Sequence, residues 1–290
     1  MYETGTGSPP VILEAGLTAS SISWRPVQER LSKSVRVISY DRAGLGWSTG
    51  RSDKLSLEGM LADLHTVVTE AAPSERVLLV GHSFGALLAM AFAARYSDRV
   101  GGLVLVDPVS ARQWCVPNAR LKRGARLSRR GAWLAKFGIV RLCLMCLSAG
   151  HTRLPQWIAR ASAGQGTSVV SRLTGELRRL PRSLYPIIAS QWSRARSFRL
   201  LAEYLEALPV CASAMHSWSP PHGLPITILS AGTASALELA EREDWIRQST
   251  AESRHIELPH CSHWIQLQDP EAVADAVRGM VPAAKGGRMR

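Results

Sequence analysis

Val77-Leu78-Leu79-Val80-Gly81-His82-Ser83-Phe84-Gly85-Ala86-Leu87-Leu88-Ala89-Met90 is the stretch that decides the fold. Residues 77–80 are a short apolar run, the pattern of a strand buried on both faces. Gly81-x-Ser83-x-Gly85 follows, and a segment rich in Ala, Leu and Met, good helix formers, then runs to Tyr96. A strand that turns sharply into a helix at G-x-S-x-G is a nucleophile elbow. So tight a turn forces Ser83 into a strained backbone conformation. Gly81 and Gly85 lack the Cβ that would strike the neighbouring strand and helix. The strain lifts the Ser83 hydroxyl clear of the sheet edge, and the helix starting there aims its free N–H groups and positive dipole end at the same place.

Outward from the elbow, the chain alternates between strands and helices. Residues 11–13, 35–40, 103–106, 226–230 and 254–258 read as strands. Residues 24–31 read as a short helix, and a second helix is capped by Ser56, carries an apolar face of Leu57, Leu61, Leu64, Val68 and Ala71, and stops at Pro73. A final helix starts near Pro270 and runs to Met280. Such alternation means βαβ units: an α/β fold with a mostly parallel, doubly wound sheet. Sites in these sheets form at the carboxyl ends of the strands, where Leu17, Ser83 and Asp107 fall.

Residues 109–222 break the alternation and read as a helical cap inserted after the strand ending at Asp107. The core is then 1–108 plus 223–282, with a flexible basic tail at 283–290. The chain's net charge is +12, and it is concentrated in the cap, which holds 18 Lys and Arg against Glu176, Glu203 and Glu206. That surface attracts anionic ligands or an anionic surface, or is simply an Arg-rich solvated face. Residues 133–147 read as one apolar helix containing Lys136 and Arg141, able to lie on a membrane surface or to pack on its own domain. Cys143-x-x-Cys146 in that helix reads as buried thiols rather than a metal site, and no metal is expected. His216 and His222 read as loop residues, and His65 as a partly exposed helix residue.

The 290 residues suit one α/β domain with an insertion, and 46% apolar content suits a globular core. Residues 1–10 are polar and show no leader-like apolar segment, and no membrane-spanning run is visible. Five scattered cysteines (115, 143, 146, 211 and 261) point to reduced thiols and a cytoplasmic location.

A serine hydroxyl attacks well only when a base takes its proton, and the base needs a carboxylate to orient it. His263 follows the last strand, where a base would face the elbow, with His260 as its competitor. Phe84 N–H and Leu17 N–H are the candidate oxyanion donors, fixed before charge develops. Asp41 and Arg42 read as structural residues that hold loop backbone.

Three motifs in order resemble the α/β-hydrolase superfamily, in the branch of small esterase-like hydrolases with a Y-D-R-x-G-x-G-x-S loop. They are Gly81-His82-Ser83-Phe84-Gly85, Tyr40-Asp41-Arg42-Ala43-Gly44-Leu45-Gly46-Trp47-Ser48, and Ser262-His263-Trp264-Ile265-Gln266-Leu267-Gln268-Asp269-Pro270-Glu271. The resemblance covers about residues 11–108 and 225–281. It implies a Ser-His-acid triad, two backbone oxyanion donors, a variable cap and no cofactor. The chain departs from that pattern in three places. The loop Ser230-Ala231-Gly232-Thr233-Ala234-Ser235, where many members carry the acid, has no carboxylate; other members carry it after the preceding strand, where this chain has Asp107, so the resemblance implies Asp107 as the acid, with Glu238 as the fallback. The usual His-Gly of the oxyanion loop is Ala15-Gly16. Two strands that members carry before residue 11 are largely missing.

The expected activity is that of a serine hydrolase cleaving a carboxylic ester or related acyl bond, on a small acyl substrate of anionic or lipid-like character, with peripheral membrane contact through the cap open. A non-catalytic ligand- or partner-binding protein of the same fold is the alternative. Nucleic-acid binding is not expected, because no binding motif accompanies the basic residues.

Overall fold

A computed structural model describes residues 1–50, 55–116, 118–148, 181–216, 218–250 and 252–281. The expected tail at 283–290 lies outside these. In chain order the elements are β1 (Tyr2–Thr4), β2 (Val11–Glu14), α1 (Arg25–Leu31), β3 (Val37–Ser39), α2 (Leu57–Ala71), β4 (Val77–His82), α3 (Phe84–Arg95) and β5 (Val100–Val106). The helices α4 (Ala111–Trp114), α5 (Ala119–Lys136), α6 (Ile139–Ser148), α7 (Tyr185–Trp192) and α8 (Ala195–Ala214) follow. The chain then resumes alternation with β6 (Ile226–Ala231), α9 (Ala236–Gln248), β7 (Arg254–Leu258), α10 (Ile265–Gln268) and α11 (Pro270–Arg278).

The seven strands form one sheet in the order β1-β3-β2-β4-β5-β6-β7. All neighbours are parallel except β1, which pairs antiparallel with β3 through Tyr2↔Ser39, Glu3↔Ile38 and Thr4↔Val37. The polar start therefore contains one short edge strand that its composition concealed.

Side chains alternate across a strand, so each strand feeds two cores. In β4, Val77 and Leu79 face one core with α2 and α3, while Leu78 and Val80 face the other with α1 and α11. Cover on both faces explains why the central strands are continuous apolar runs. Ser56 caps α2 by accepting from Gly59 N–H at 3.1 Å.

Among the described residues between Val106 and Ile226 are the helices α4 to α8. The expected single helix over 133–147 is two helices. Phe137 and Gly138 separate α5 from α6, and Gly138 sits at φ +74, a conformation that ends a helix cheaply only in glycine. Cys143 and Cys146 are half-buried rather than buried. α8 rests on the Arg42–Gly46 loop: Arg194 and Arg196 donate to the Gly46 carbonyl at 3.1 and 3.4 Å, and the Tyr204 ring packs edge-on against Phe84.

Candidate active site

The elbow is built as the sequence requires. Ser83 has φ 55 and ψ −118, between the end of β4 and the first residue of α3. Its N–H donates to the Val106 carbonyl at 3.0 Å, so the β-ladder runs one residue past the strand and pins the strained turn. A Cβ on Gly81 would stand 2.5 Å from the Gly85 carbonyl oxygen, and one on Gly85 would run into the carbonyls of Glu14 and Ala15. Asp107 occupies the matching place after β5. Its N–H donates to the Leu229 carbonyl at 2.8 Å, and its φ is +43.

His263 bridges the two. Its Nδ1 lies 2.7 Å from Asp107 Oδ2, and its Nε2 lies 2.9 Å from Ser83 Oγ. Burial pulls the Asp107 carboxyl upward. The hydrogen bond from His263 and the charge of Arg242 overcome that and hold it at about 2. An ionised Asp107 accepts only, so Nδ1 carries the proton and Nε2 is left to accept from the Ser83 hydroxyl. Ser83 and Asp107 are buried, while the His263 side chain is 43% exposed.

The base loop is fixed at several points. Gly232 N–H donates to the Cys261 carbonyl at 3.0 Å, and Ser262 N–H donates to Gln268 Oε1 at 2.7 Å. His82 ties the loop to the elbow: its Nε2–H donates to the His263 carbonyl at 2.8 Å. Burial first, and then the neighbouring His263, push His82 down to about 3, so it is neutral. His260, the competitor, is exposed and pairs with Asp269 at 3.0 Å, away from Ser83.

Two buried arginines support the site, and sequence reading gave a site role to neither. Arg242 donates to Asp107 Oδ1 at 3.0 Å, to Ser230 Oγ at 2.6 Å and to the Pro108 carbonyl at 2.6 Å. Ala231 N–H also donates to Oδ1, at 3.1 Å, so Oδ2 alone faces His263. Arg42 was read as structural. It pairs with buried Glu14 at 2.7 Å and donates to three successive carbonyls, Ala15 at 2.9 Å, Gly16, and Leu17 at 2.5 Å. One planar guanidinium on three consecutive carbonyls fixes three peptide planes, and with them their N–H directions. Leu17 N–H donates to no other backbone group among the described residues. Phe84 N–H belongs to the open first turn of α3. Asp41 accepts from Ser21 N–H at 2.7 Å and Trp47 N–H at 3.0 Å, holding the same loop.

Glu238, the fallback acid, is not at the site. It forms a capping box with Ser235 on the exposed start of α9. A charged residue inside the apolar strand Val11–Glu14 was the one available sign of the Glu14–Arg42 pair. Arg242 gave none, since it lies among acidic residues on an ordinary helix and its partner is 135 residues away.

A family model described as the alpha/beta hydrolase fold matches residues 9–131. The whole chain superposes with a TM-score of 0.60 on an esterase from Thermogutta terrifontis, at 23% identity, covering 96% of this chain and 90% of that one. The fold is therefore that of the α/β hydrolases, and residues 9–131 match the model of that family. Over 114 residues it is 38% identical to 2-hydroxy-6-oxo-2,4-heptadienoate hydrolase of Pseudomonas putida, covering 38% of this chain and 40% of that protein. Over 109 residues it is 36% identical to 2-hydroxymuconate semialdehyde hydrolase of a Pseudomonas species, covering 37% and 38%. The chain thus matches about two fifths of the length of these curated relatives.

Proposed function

We propose that the protein is a serine hydrolase that cleaves a carboxylic ester or related acyl bond through an acyl-enzyme. The hydrogen-bonded chain Ser83–His263–Asp107 carries the reading. His263 Nε2 takes the Ser83 proton as Oγ bonds to the substrate carbonyl carbon. The carbonyl oxygen becomes an oxyanion facing Leu17 N–H and Phe84 N–H, whose directions Arg42 and the helix start have already set. Collapse breaks the bond to the leaving group, which departs with the proton from His263. Water then loses a proton to His263 and attacks the acyl carbon, Ser83 regains its proton, and the carboxylic acid leaves. Asp107 keeps the imidazole in one tautomer and balances its charge when protonated. Arg242 keeps Asp107 anionic and oriented.

The cap sets the substrate. Its excess of Arg and Lys favours a substrate bearing a carboxylate, and both curated relatives are named as hydrolases of such acids or their semialdehydes. The binding-protein alternative draws its support from the missing carboxylate after β6, and the Asp107–His263 hydrogen bond favours the catalytic reading over it.

Intact mass after exposure to a fluorophosphonate tests the reading. One adduct on the wild-type chain and none on Ser83→Ala is the expected result. A folded wild-type chain that takes no adduct overturns it.

A further inference from the structure

We propose that the exposed end of α5 and the start of α6 form a docking surface for an anionic lipid bilayer. The inference is independent of the chemistry at Ser83.

α5 is two-sided. Leu121, Ala125, Ser128, Ala132 and Ala135 are buried at helical spacing, on the side packed against α8. The opposite side is basic for most of its length and changes character in the last turn. There Trp133 and Phe137 are 62% and 61% exposed, with ring centroids 4.7 Å apart. Gly138 turns the chain, and α6 adds Leu142, 50% exposed. Arg130, Lys136 and Arg141 surround these residues and are exposed. Two large aromatics in contact and an exposed leucine at the start of the next helix are more than the scattered apolar residues of an ordinary surface.

The kind of partner follows from the mixture. The side chains stand out from the surface, so they suit insertion into a yielding medium better than receipt of a partner helix in a groove. Nucleic acid would use the cations and could stack a ring, but it gives Leu142 nothing to bury against. A bilayer uses all of them. Rings and leucine enter the boundary between headgroups and acyl chains, and the long basic side chains extend to lipid phosphates. The sign of the cap's charge calls for an anionic leaflet. Among the described residues no helix is long and apolar enough to cross a membrane, so the contact is a surface one.

Cosedimentation of the full chain with phosphatidylcholine vesicles, and with vesicles that also contain phosphatidylglycerol, tests the proposal. The expected result is binding to the mixed vesicles only, weakening as salt rises. Trp133→Ser with Phe137→Ser should cut the bound fraction about tenfold at limiting lipid, by loss of the apolar anchor. Lys136→Gln with Arg141→Gln should weaken binding and flatten its salt dependence. Both pairs should keep wild-type circular dichroism and wild-type turnover of a short soluble ester, since all four residues are exposed. No binding to the mixed vesicles overturns the proposal. So does equal binding by the Trp133/Phe137 variant, or a wild-type dimer in sedimentation that this variant converts to monomer, which would make the patch a seat for a second copy.

Discussion

The two ends of the site are built alike and titrate in opposite directions. At each end a buried carboxylate meets a buried arginine: Glu14 with Arg42 under the loop of residues 15–17, and Asp107 with Arg242 behind His263. Glu14 is raised above the ordinary carboxylate value, because burial outweighs the Arg42 charge and the hydrogen bonds from Tyr40 and Arg42. Asp107 is held at about 2, because the hydrogen bond and charge of His263, the charge of Arg242 and Ala231 N–H together outweigh a less complete burial, whereas the three donors on Glu14 (Arg42, Tyr40 and Ala15 N–H) do not outweigh its own. The Glu14 pair serves as a brace for backbone, where charge is incidental. The Asp107 pair keeps a carboxylate ionised at any pH at which the protein works. An arginine–carboxylate pair therefore has no fixed meaning, and the balance between burial and the full set of charges and donors decides it.

The comparison breaks first at Asp107. Asp107→Asn should keep the fold and lower turnover by about 10³- to 10⁴-fold, since an amide there favours the wrong His263 tautomer. Loss of less than tenfold, read in steady-state ester hydrolysis, would end the distinction between the two carboxylates. Arg42→Lys should come next, with kcat down about 100-fold and KM little changed, because one ammonium cannot hold three carbonyls and the oxyanion donors lose alignment. A purely structural Arg42 would instead lower the melting temperature and leave the kcat of the folded fraction intact.

Stability against pH sharpens the contrast. His82 is depressed from 6.5 to about 3, so its contribution is full above pH 6.5 and lost as pH falls toward 3. The urea midpoint should therefore drop between pH 7 and 4, and His82→Gln should flatten that drop. Asp107 acts in the same direction but lower, between the ordinary 3.8 and about 2. Glu14 runs the other way: with its value raised, its contribution is present below the ordinary 4.5 and lost as pH rises through the folded value. Glu14→Gln should remove that opposing slope. The smallest effect belongs to Glu238→Gln: activity within twofold of wild type, and about 0.5 kcal/mol or less from the exposed cap of α9 in a chemical melt.

The legible parts of this site are those in which chemistry and backbone share one short stretch. The elbow was readable because strand, glycines, serine and helix fall within 14 residues. His263 was readable because its loop leads straight into the last helix. Asp107 was reachable only through the resemblance, since the loop after β6 holds no carboxylate and some members carry the acid where Asp107 stands. Arg242 was not legible, since a buried salt bridge across 135 residues leaves no local pattern on an otherwise acidic helix. The break between α5 and α6 was missed for a different reason. The apolar residues on either side of Gly138 keep a continuous helical look, and a single left-handed glycine, visible in the sequence, outweighed them.

Among the described residues the non-glycines with positive φ are Ser83 and Asp107. Each angle costs about 1–3 kcal/mol in a side-chain-bearing residue. A Ser83→Gly chain should therefore be inert and yet survive several degrees more heat. Turnover and heat tolerance should therefore be opposed at Ser83, whereas at Asp107 the buried pair with Arg242 outweighs the strain. A lineage that kept this fold but no longer needed its chemistry would drift toward glycine at position 83, so glycine there in a natural homologue would mark the retired copies.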